Sequence, residues 1–113
     1  VKEREAFGKP IWQFQNTRFK LAEVQADYLA VKALCDSAVE AQIQGKLDAA
    51  QASLIMYWVT EKQCKTMDEC LQIFGGYGYM SEYPIARMYA DARVQKIYGG
   101  TNEIMKELAS RFM

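Results

Sequence analysis

The sequence predicts an all-α fold, an up-and-down four-helix bundle built from two long helices and two short ones. Three observations predict it. No Pro or Gly interrupts the chain from about residue 12 to residue 44, apolar residues recur there at steps of three and four, and no convincing strand pattern appears anywhere. Half of the 113 residues are apolar and a quarter are charged, which is typical of one globular domain.

The first residues form a charged run that Gly8 follows closely. We interpret residues 2–7 as the last turn of a helix that began earlier, with Gly8 as its stop. Because the chain opens at Val1 without a start Met or a helix cap, we expect a domain cut from a longer protein.

The next segment predicts a helix about 45 Å long at roughly 1.5 Å per residue. Its apolar stripe consists of Leu21, Val24, Tyr28, Val31, Cys35 and Ala38. Gly45 ends this helix, and Asp48 caps a second one that extends to Phe74, where Gly75 and Gly76 stop it. Two long helices joined by so few residues must lie antiparallel.

The remaining elements are shorter. Residues 77–83 form an aromatic connection, and Pro84 begins a third helix that runs to about Gln95. Thr101 caps a last helix that runs to about Phe112.

Composition excludes several classes of function. The chain has no histidine, which removes Ser-His and Cys-His nucleophile pairs and the histidine ligands of zinc and di-iron sites. Fourteen basic and fourteen acidic residues cancel, so no charge argument favours nucleic acid or an anionic membrane as a partner. Three cysteines in no redox or zinc spacing predict reduced thiols inside a cell, and no apolar run reaches the length of a membrane span.

Two segments could carry chemistry. Residues 99–101 set a Gly-Gly-Thr turn against a helix N-terminus, which suits an anion or a polarised carbonyl oxygen, although an ordinary helix cap explains the same residues. Tyr77, Tyr79 and Tyr83 are too many rings for one loop to bury, and they suggest a surface for a planar ligand or a neighbouring subunit. From spacing alone, neither segment identifies a reaction.

Three motifs together resemble the C-terminal domain of the acyl-CoA dehydrogenases, most closely the long-chain type. They are R-E-A-F-G-K-P at residues 4–10, Q-I-F-G-G-Y-G-Y at residues 72–79 and D-A-R-V-Q-K-I-Y-G-G-T-N-E-I at residues 91–104. The resemblance implies that residues 1–113 are a single helical-bundle domain, the C-terminal third of a larger flavoenzyme subunit. That subunit would desaturate acyl-CoA thioesters in fatty acid β-oxidation, with FAD as its cofactor.

The resemblance also implies contacts to two flavins. Arg4 and Phe7 match family contacts to the FAD of the neighbouring subunit, the arginine meeting the pyrophosphate. Thr101 and Glu103 match contacts to the subunit's own FAD, although the best-known members have Gln where this chain has Glu103. The other matched contacts to the neighbour's flavin are Gln15, Gln72, Ile73, Phe74, Gly75 and Gly76.

The chain departs from the common family pattern at Gly99. Many members have a catalytic glutamate there, in a Y-E-G-T sequence, and glycine cannot act as a base. In the long-chain and isovaleryl enzymes the glutamate comes from an earlier helix, so we expect the base upstream of Val1 and no catalytic side chain in these 113 residues. The resemblance implies that the Gly99 backbone N–H still binds the thioester carbonyl, beside Tyr98 in the acyl pocket.

The implied partners are an acyl-CoA substrate, the subunit's own N-terminal and middle domains, further copies in a dimer or tetramer, and electron-transfer flavoprotein as acceptor. No metal, nucleic acid or membrane span is expected. The implied location is the bacterial cytoplasm or the mitochondrial matrix, and the isolated chain is expected to be inactive. The alternative is a helical bundle that acts only in oligomerisation or protein interaction.

Overall fold

The computed structural model describes all 113 residues and contains a short β-hairpin followed in the chain by four α-helices. In chain order the elements are β1 (Glu5–Ala6), β2 (Lys9–Pro10), α1 (Gln15–Ile43), α2 (Ala49–Phe74), α3 (Pro84–Val94) and α4 (Asn102–Ser110), with 3₁₀ turns at Ile11–Gln13 and Gly75–Tyr79. The all-α class is confirmed, and the four predicted helices are present. Asp48 accepts the N–H of Gln51 at 2.7 Å, which begins α2 at the predicted cap.

The predicted helix turn at the N-terminus is wrong, because residues 5–10 form an antiparallel hairpin instead. Glu5 pairs with Pro10 and Ala6 with Lys9, and the two turn residues between them have positive φ, 53° at Phe7 and 77° at Gly8. A two-residue turn of this kind needs positive φ at both positions. Gly8 therefore turns a hairpin and does not stop a helix.

Helices α1 and α2 lie antiparallel and are joined by two ion pairs. Lys20 binds Glu69 near one end, and Lys62 Nζ lies 2.9 Å from Asp27 Oδ1 further along. Continuing this register by five residues from Lys20 and Glu69 places Gln15 opposite Phe74. The start of α1 and the end of α2 therefore meet at one end of the molecule.

The best-buried part of the molecule lies where α3 and α4 pack on α2. Its buried apolar side chains are Ile85, Ala92, Met105 and Ala109, and α1 contributes no fully buried residue. The predicted stripe of α1 is half-buried at most, and Tyr28 is exposed. The radius of gyration is 17.2 Å, against about 13 Å for a compact domain of this length. No helix has both the length and the apolar character that a membrane span requires.

The ion pair between Asp27 and Lys62 should make the stability of the helix hairpin depend on pH. The Lys62 hydrogen bond lowers the pKa of Asp27, so the folded state holds this carboxylate ionised better than the unfolded chain does. The stabilisation is therefore complete above the ordinary Asp pKa and is lost as pH falls through that value towards the folded one. We expect Asp27→Asn to flatten the fall in melting temperature between about pH 5 and pH 2, measured by circular dichroism of the 113-residue chain.

The matched control is Asp36→Asn. Asp36 also pairs with a lysine, Lys32, but both residues are exposed and lie within α1. An exposed pair inside one helix is screened by solvent and contributes little to stability. Equal flattening by both variants would mean that the interhelical pair has no special part in holding the hairpin.

Candidate functional site

The structure separates the predicted site residues into two groups. The first, called the Arg4 cluster below, lies at the C-terminal end of α2 and comprises Arg4, Phe7, Gln15 and residues 72–76. The second, called the donor turn, comprises residues 99–101 and lies against the middle of α2 near Tyr57 and Thr60. At 1.5 Å per residue, the two places are about 22 Å apart along the helix.

Arg4 is held against the end of α2 by a backbone contact. Its Nη1 donates to the carbonyl oxygen of Ile73 at 2.5 Å, and its guanidinium lies over the backbone of Gly75. A Cβ at Gly75 would lie 2.5 Å from Arg4 Nη2, and Gly75 has a φ of 62°. Arg4 takes part in none of the ion pairs of the structure, so its charge is exposed and available to an anion.

Phe7 lies at the tip of the hairpin in a backbone conformation that is unfavourable for a non-glycine residue. Its side chain is 96% exposed, and its φ of 53° lies in the left-handed region, which costs a non-glycine residue on the order of 1–3 kcal/mol. Its ring forms a T-shaped pair with that of Phe14, at a centroid distance of 6.2 Å. An exposed ring in a strained position does little for folding, which favours a ligand or a partner as its contact.

The aromatic residues after α2 extend the same end of the molecule. Tyr77 stacks on Tyr83 at 5.2 Å, and Phe74 meets Tyr83 edge to face at 6.1 Å. Together with Arg4 and Ile73 they line a cleft of about 360 Å³. Tyr77 and Tyr79 are exposed, as the sequence predicts for this connection.

The donor turn presents backbone N–H groups without acceptors. The N–H groups of Gly99, Gly100 and Thr101 donate no hydrogen bond within the chain, while the Thr101 hydroxyl accepts the N–H of Ile104 at 3.3 Å as the cap of α4. The φ values of 68° and 114° at the two glycines give the turn its shape. Free N–H groups beside a helix N-terminus suit an anion or a carbonyl oxygen.

Tyr98 and Glu103 flank the donor turn, and both side chains are exposed. Glu103 lies in the first turn of α4, where a negative charge is favourable to the helix. The Glu103 carboxylate would also repel a phosphate group bound at the donor turn. The structure therefore supports Thr101 better than Glu103 as a contact to a phosphate group.

Asn102, whose side chain is only 1% exposed, is not among the site residues predicted from the sequence. Its amide reaches α2, where Nδ2 donates to the Tyr57 carbonyl oxygen at 3.2 Å. Thr101 and Asn102 are two consecutive residues of the type that caps helices, and only one of them can be the cap. The pair therefore indicates, from the sequence, that Asn102 has a role other than helix capping.

The two groups together can bind an anion and polarise a carbonyl. A fixed guanidinium and exposed glycine backbone suit a phosphate or pyrophosphate, and the donor turn can stabilise developing negative charge on an oxygen. Nothing at position 99 can take a proton, because glycine has no side chain. No group of three or more Cys, Asp or Glu side chains is arranged to hold a metal ion. Burial raises the pKa of the Cys70 thiol, which keeps it protonated and unreactive.

The whole chain, residues 1–113, matches the family described as acyl-CoA dehydrogenase, C-terminal domain. The mouse long-chain specific acyl-CoA dehydrogenase, mitochondrial, is 50% identical over 98% of this chain, which spans 26% of that relative. A crystal structure of acyl-CoA dehydrogenase from Geobacillus kaustophilus is 41% identical with a TM-score of 0.95, and the match covers 99% of this chain and 30% of that one.

A third match is the structure of butyryl-CoA dehydrogenase from Megasphaera elsdenii. It is 36% identical with a TM-score of 0.92, and the match covers 98% of this chain and 29% of that one. The fold and the motifs therefore agree with the resemblance. The chain belongs to the acyl-CoA dehydrogenase C-terminal domain family.

Proposed function

We propose that these 113 residues form the C-terminal domain, about the last third, of an FAD-dependent acyl-CoA dehydrogenase subunit that desaturates acyl-CoA thioesters in β-oxidation. The observation that carries the proposal is the separation of two kinds of group by about 22 Å along α2. An unpaired, anchored arginine lies at one place, and unbonded N–H groups lie at the other. This arrangement fits a chain that contacts a neighbour's flavin with one end and its own active site with the donor turn.

The residues of the Arg4 cluster fit a flavin dinucleotide. Arg4 would hold the pyrophosphate of the neighbour's FAD, since its charge has no partner within the chain. Phe7 and Gln15 would contact the same flavin beside residues 72–76, where glycine permits a close approach of the backbone. Thr101 would meet the subunit's own FAD, with Glu103 next to it. When bound, FAD supplies the acceptor for the hydride that leaves the β-carbon.

The donor turn would make the α-proton of the thioester more acidic. The Gly99 N–H would donate to the thioester carbonyl oxygen, where negative charge develops as the α-proton leaves. Tyr98 would line the acyl pocket beside it. The base is a carboxylate that these 113 residues do not supply at position 99, and we place it on an earlier helix of the same subunit.

The other partners follow from the same assignment. We infer contacts with the N-terminal and middle domains of the subunit, assembly as a dimer or tetramer, and electron-transfer flavoprotein as the acceptor. The location would be the mitochondrial matrix or the bacterial cytoplasm.

The apolar surface favours assembly as a second function of this domain. Only eight residues are buried, and the large apolar side chain of Ile43 is 82% exposed. A largely apolar groove of about 410 Å³ also runs between the C-terminal half of α1 and the N-terminal half of α2. A surface of this kind is typical of a chain that is covered by other domains or copies.

The test compares the full-length subunit with the 113-residue chain, both purified in the same way. We expect the full-length subunit to retain stoichiometric FAD and to reduce an artificial acceptor with a long-chain acyl-CoA. The chain alone should show no turnover and little FAD, because the flavin contacts are shared among domains and subunits. It should sediment as a species larger than the monomer, because its apolar faces are uncovered.

Each result has an outcome that contradicts it. If the full-length subunit binds no flavin, the proposed dehydrogenase function is wrong and only the assembly function remains. A clean monomer of the isolated chain in sedimentation would argue against assembly through this domain. Turnover by the isolated chain would refute the placement of the base outside it.

A further inference from the structure

Asn102 is a polar residue in the best-buried position of the molecule. Its side chain is 1% exposed, less than any apolar side chain of the core. It follows Thr101, which already caps α4, so capping does not explain it. Burying an amide costs free energy unless its N–H groups and its oxygen are hydrogen-bonded. A buried asparagine is therefore kept where its hydrogen bonds provide what an apolar residue cannot.

The bonds of Asn102 join three parts of the chain. Its backbone N–H donates to the Lys96 carbonyl oxygen at 3.1 Å, which ties it to the segment after α3. Its Nδ2 donates to the Tyr57 carbonyl oxygen at 3.2 Å, and its Oδ1 lies 3.1 Å from the Thr60 hydroxyl, both on α2. The Thr60 hydroxyl has one proton, for which the Met56 carbonyl oxygen, at 2.8 Å, competes with Asn102 Oδ1. A carbonyl can only accept, so the amide nitrogen must face Tyr57 and the oxygen must face Thr60.

Little else holds the donor turn in place. Its three N–H groups have no acceptor in the chain, and its two glycines impose no side-chain packing of their own. Its close neighbours are two flexible side chains, since a Cβ at Gly99 would meet Met56 Cε at 3.4 Å and one at Gly100 would meet Met105 Cε. Methionine contacts are adaptable and carry no direction. Thr101 bonds only to Ile104 and Met105 of α4, so the directional bonds that join the turn to α2 are those of Asn102.

We infer that Asn102 is a positioning residue, which sets the direction of the Gly99 N–H by fixing the donor turn to α2 through Tyr57 and Thr60. This inference rests on the proposed function, in which that N–H binds the thioester carbonyl. Asn102 itself faces the interior and does not touch the ligand. Its effect is exerted on the geometry of the donor, and oxyanion stabilisation depends steeply on that geometry.

The test uses the full-length holoenzyme and a 3-thiaacyl-CoA, a non-reacting analogue whose enolate gives a charge-transfer band with the flavin. The ratio of enolate to neutral ligand, measured per bound FAD, reports how well the donor turn stabilises the thioester oxygen. We expect Asn102→Ala to lower this ratio about tenfold, because a displaced donor stabilises the oxygen less. Thr60→Val keeps the shape and removes one bond to Asn102, so it should lower the ratio about threefold.

The apoprotein gives a second readout that needs no ligand. Amide hydrogen exchange should accelerate in Asn102→Ala at residues 102, 104 and 105, whose N–H groups donate hydrogen bonds, while the amides of α1 should keep their rates. Ser53→Ala is the matched control, because the Ser53 hydroxyl is also buried on α2 but bonds only to the Ala49 carbonyl oxygen of its own helix. It should leave both readouts unchanged.

The outcomes separate the inference from the proposed function. A wild-type protein that binds no FAD or gives no charge-transfer band would refute the proposed function. A wild-type enolate ratio in FAD-loaded Asn102→Ala would overturn the inference, even if that variant melts at a lower temperature. If Asn102→Ala does not fold, Thr60→Val decides the question, since an unchanged ratio there also overturns the inference.

Discussion

An ester at Gly99 of the full-length protein, which replaces only its backbone N–H by oxygen, is expected to reduce turnover about 100- to 1,000-fold. Glycolic acid introduced at position 99 by cell-free translation makes this change and keeps the left-handed φ of 68° accessible. The Gly99 N–H has no acceptor within the chain, so its removal breaks no internal hydrogen bond. Acyl-CoA oxidation under saturating substrate, corrected for FAD content, measures the effect.

The same ester at Gly45 is the control. Gly45 has the same φ of 68° and lies in the turn between α1 and α2. Its N–H donates to Gln42, so the ester there costs a structural hydrogen bond and leaves the donor turn intact. If the Gly99 ester turns over as fast as the wild type, the thioester carbonyl is not bound by this N–H.

The substitution Gly75→Ala is expected to weaken FAD binding by the full-length protein about 10- to 100-fold. The new Cβ would lie 2.5 Å from Arg4 Nη2, so it would displace the guanidinium and break its hydrogen bond to the Ile73 carbonyl oxygen. A hydrogen bond to a charged group contributes about 1.5–3 kcal/mol, which corresponds to this range of affinity. Flavin retained after dialysis, together with the dissociation constant from fluorescence titration, measures the loss.

Two controls isolate the displacement of Arg4. Gly45→Ala introduces the same left-handed strain, about 1–2 kcal/mol, at a glycine with nothing within 4 Å of the new Cβ. It should lower the melting temperature and leave FAD affinity unchanged. The double variant Arg4→Ala/Gly75→Ala separates two effects of the new Cβ: an FAD affinity equal to that of Arg4→Ala assigns the whole loss to the displaced guanidinium. A further loss in the double variant would show that Gly75→Ala acts on the flavin by another route.

The helix bounds could be predicted because local hydrogen bonds and steric rules determine them. Asp48 bonds to Gln51 three residues ahead, Thr101 bonds to Ile104, and Gly75 ends α2 with a positive φ. The N-terminal hairpin could not be predicted in the same way. Its turn has a phenylalanine at a position that usually takes Asn or Gly, and charged residues around it carry no strand pattern.

By itself, the sequence determined the helical class, the order of the helices and the motifs that identify the family, since each depends on residues close together in the chain. Only the tertiary structure showed that the Arg4 cluster and the donor turn lie about 22 Å apart along α2, that Arg4 is anchored beside Gly75, and that Asn102 is buried against Tyr57 and Thr60. Thr60 and Asn102 are 42 positions apart in the chain, and Arg4 and the Ile73 carbonyl that anchors it are 69 apart. No local rule relates such residues, because their distance is decided by how α3, α4 and the hairpin pack on the long helix.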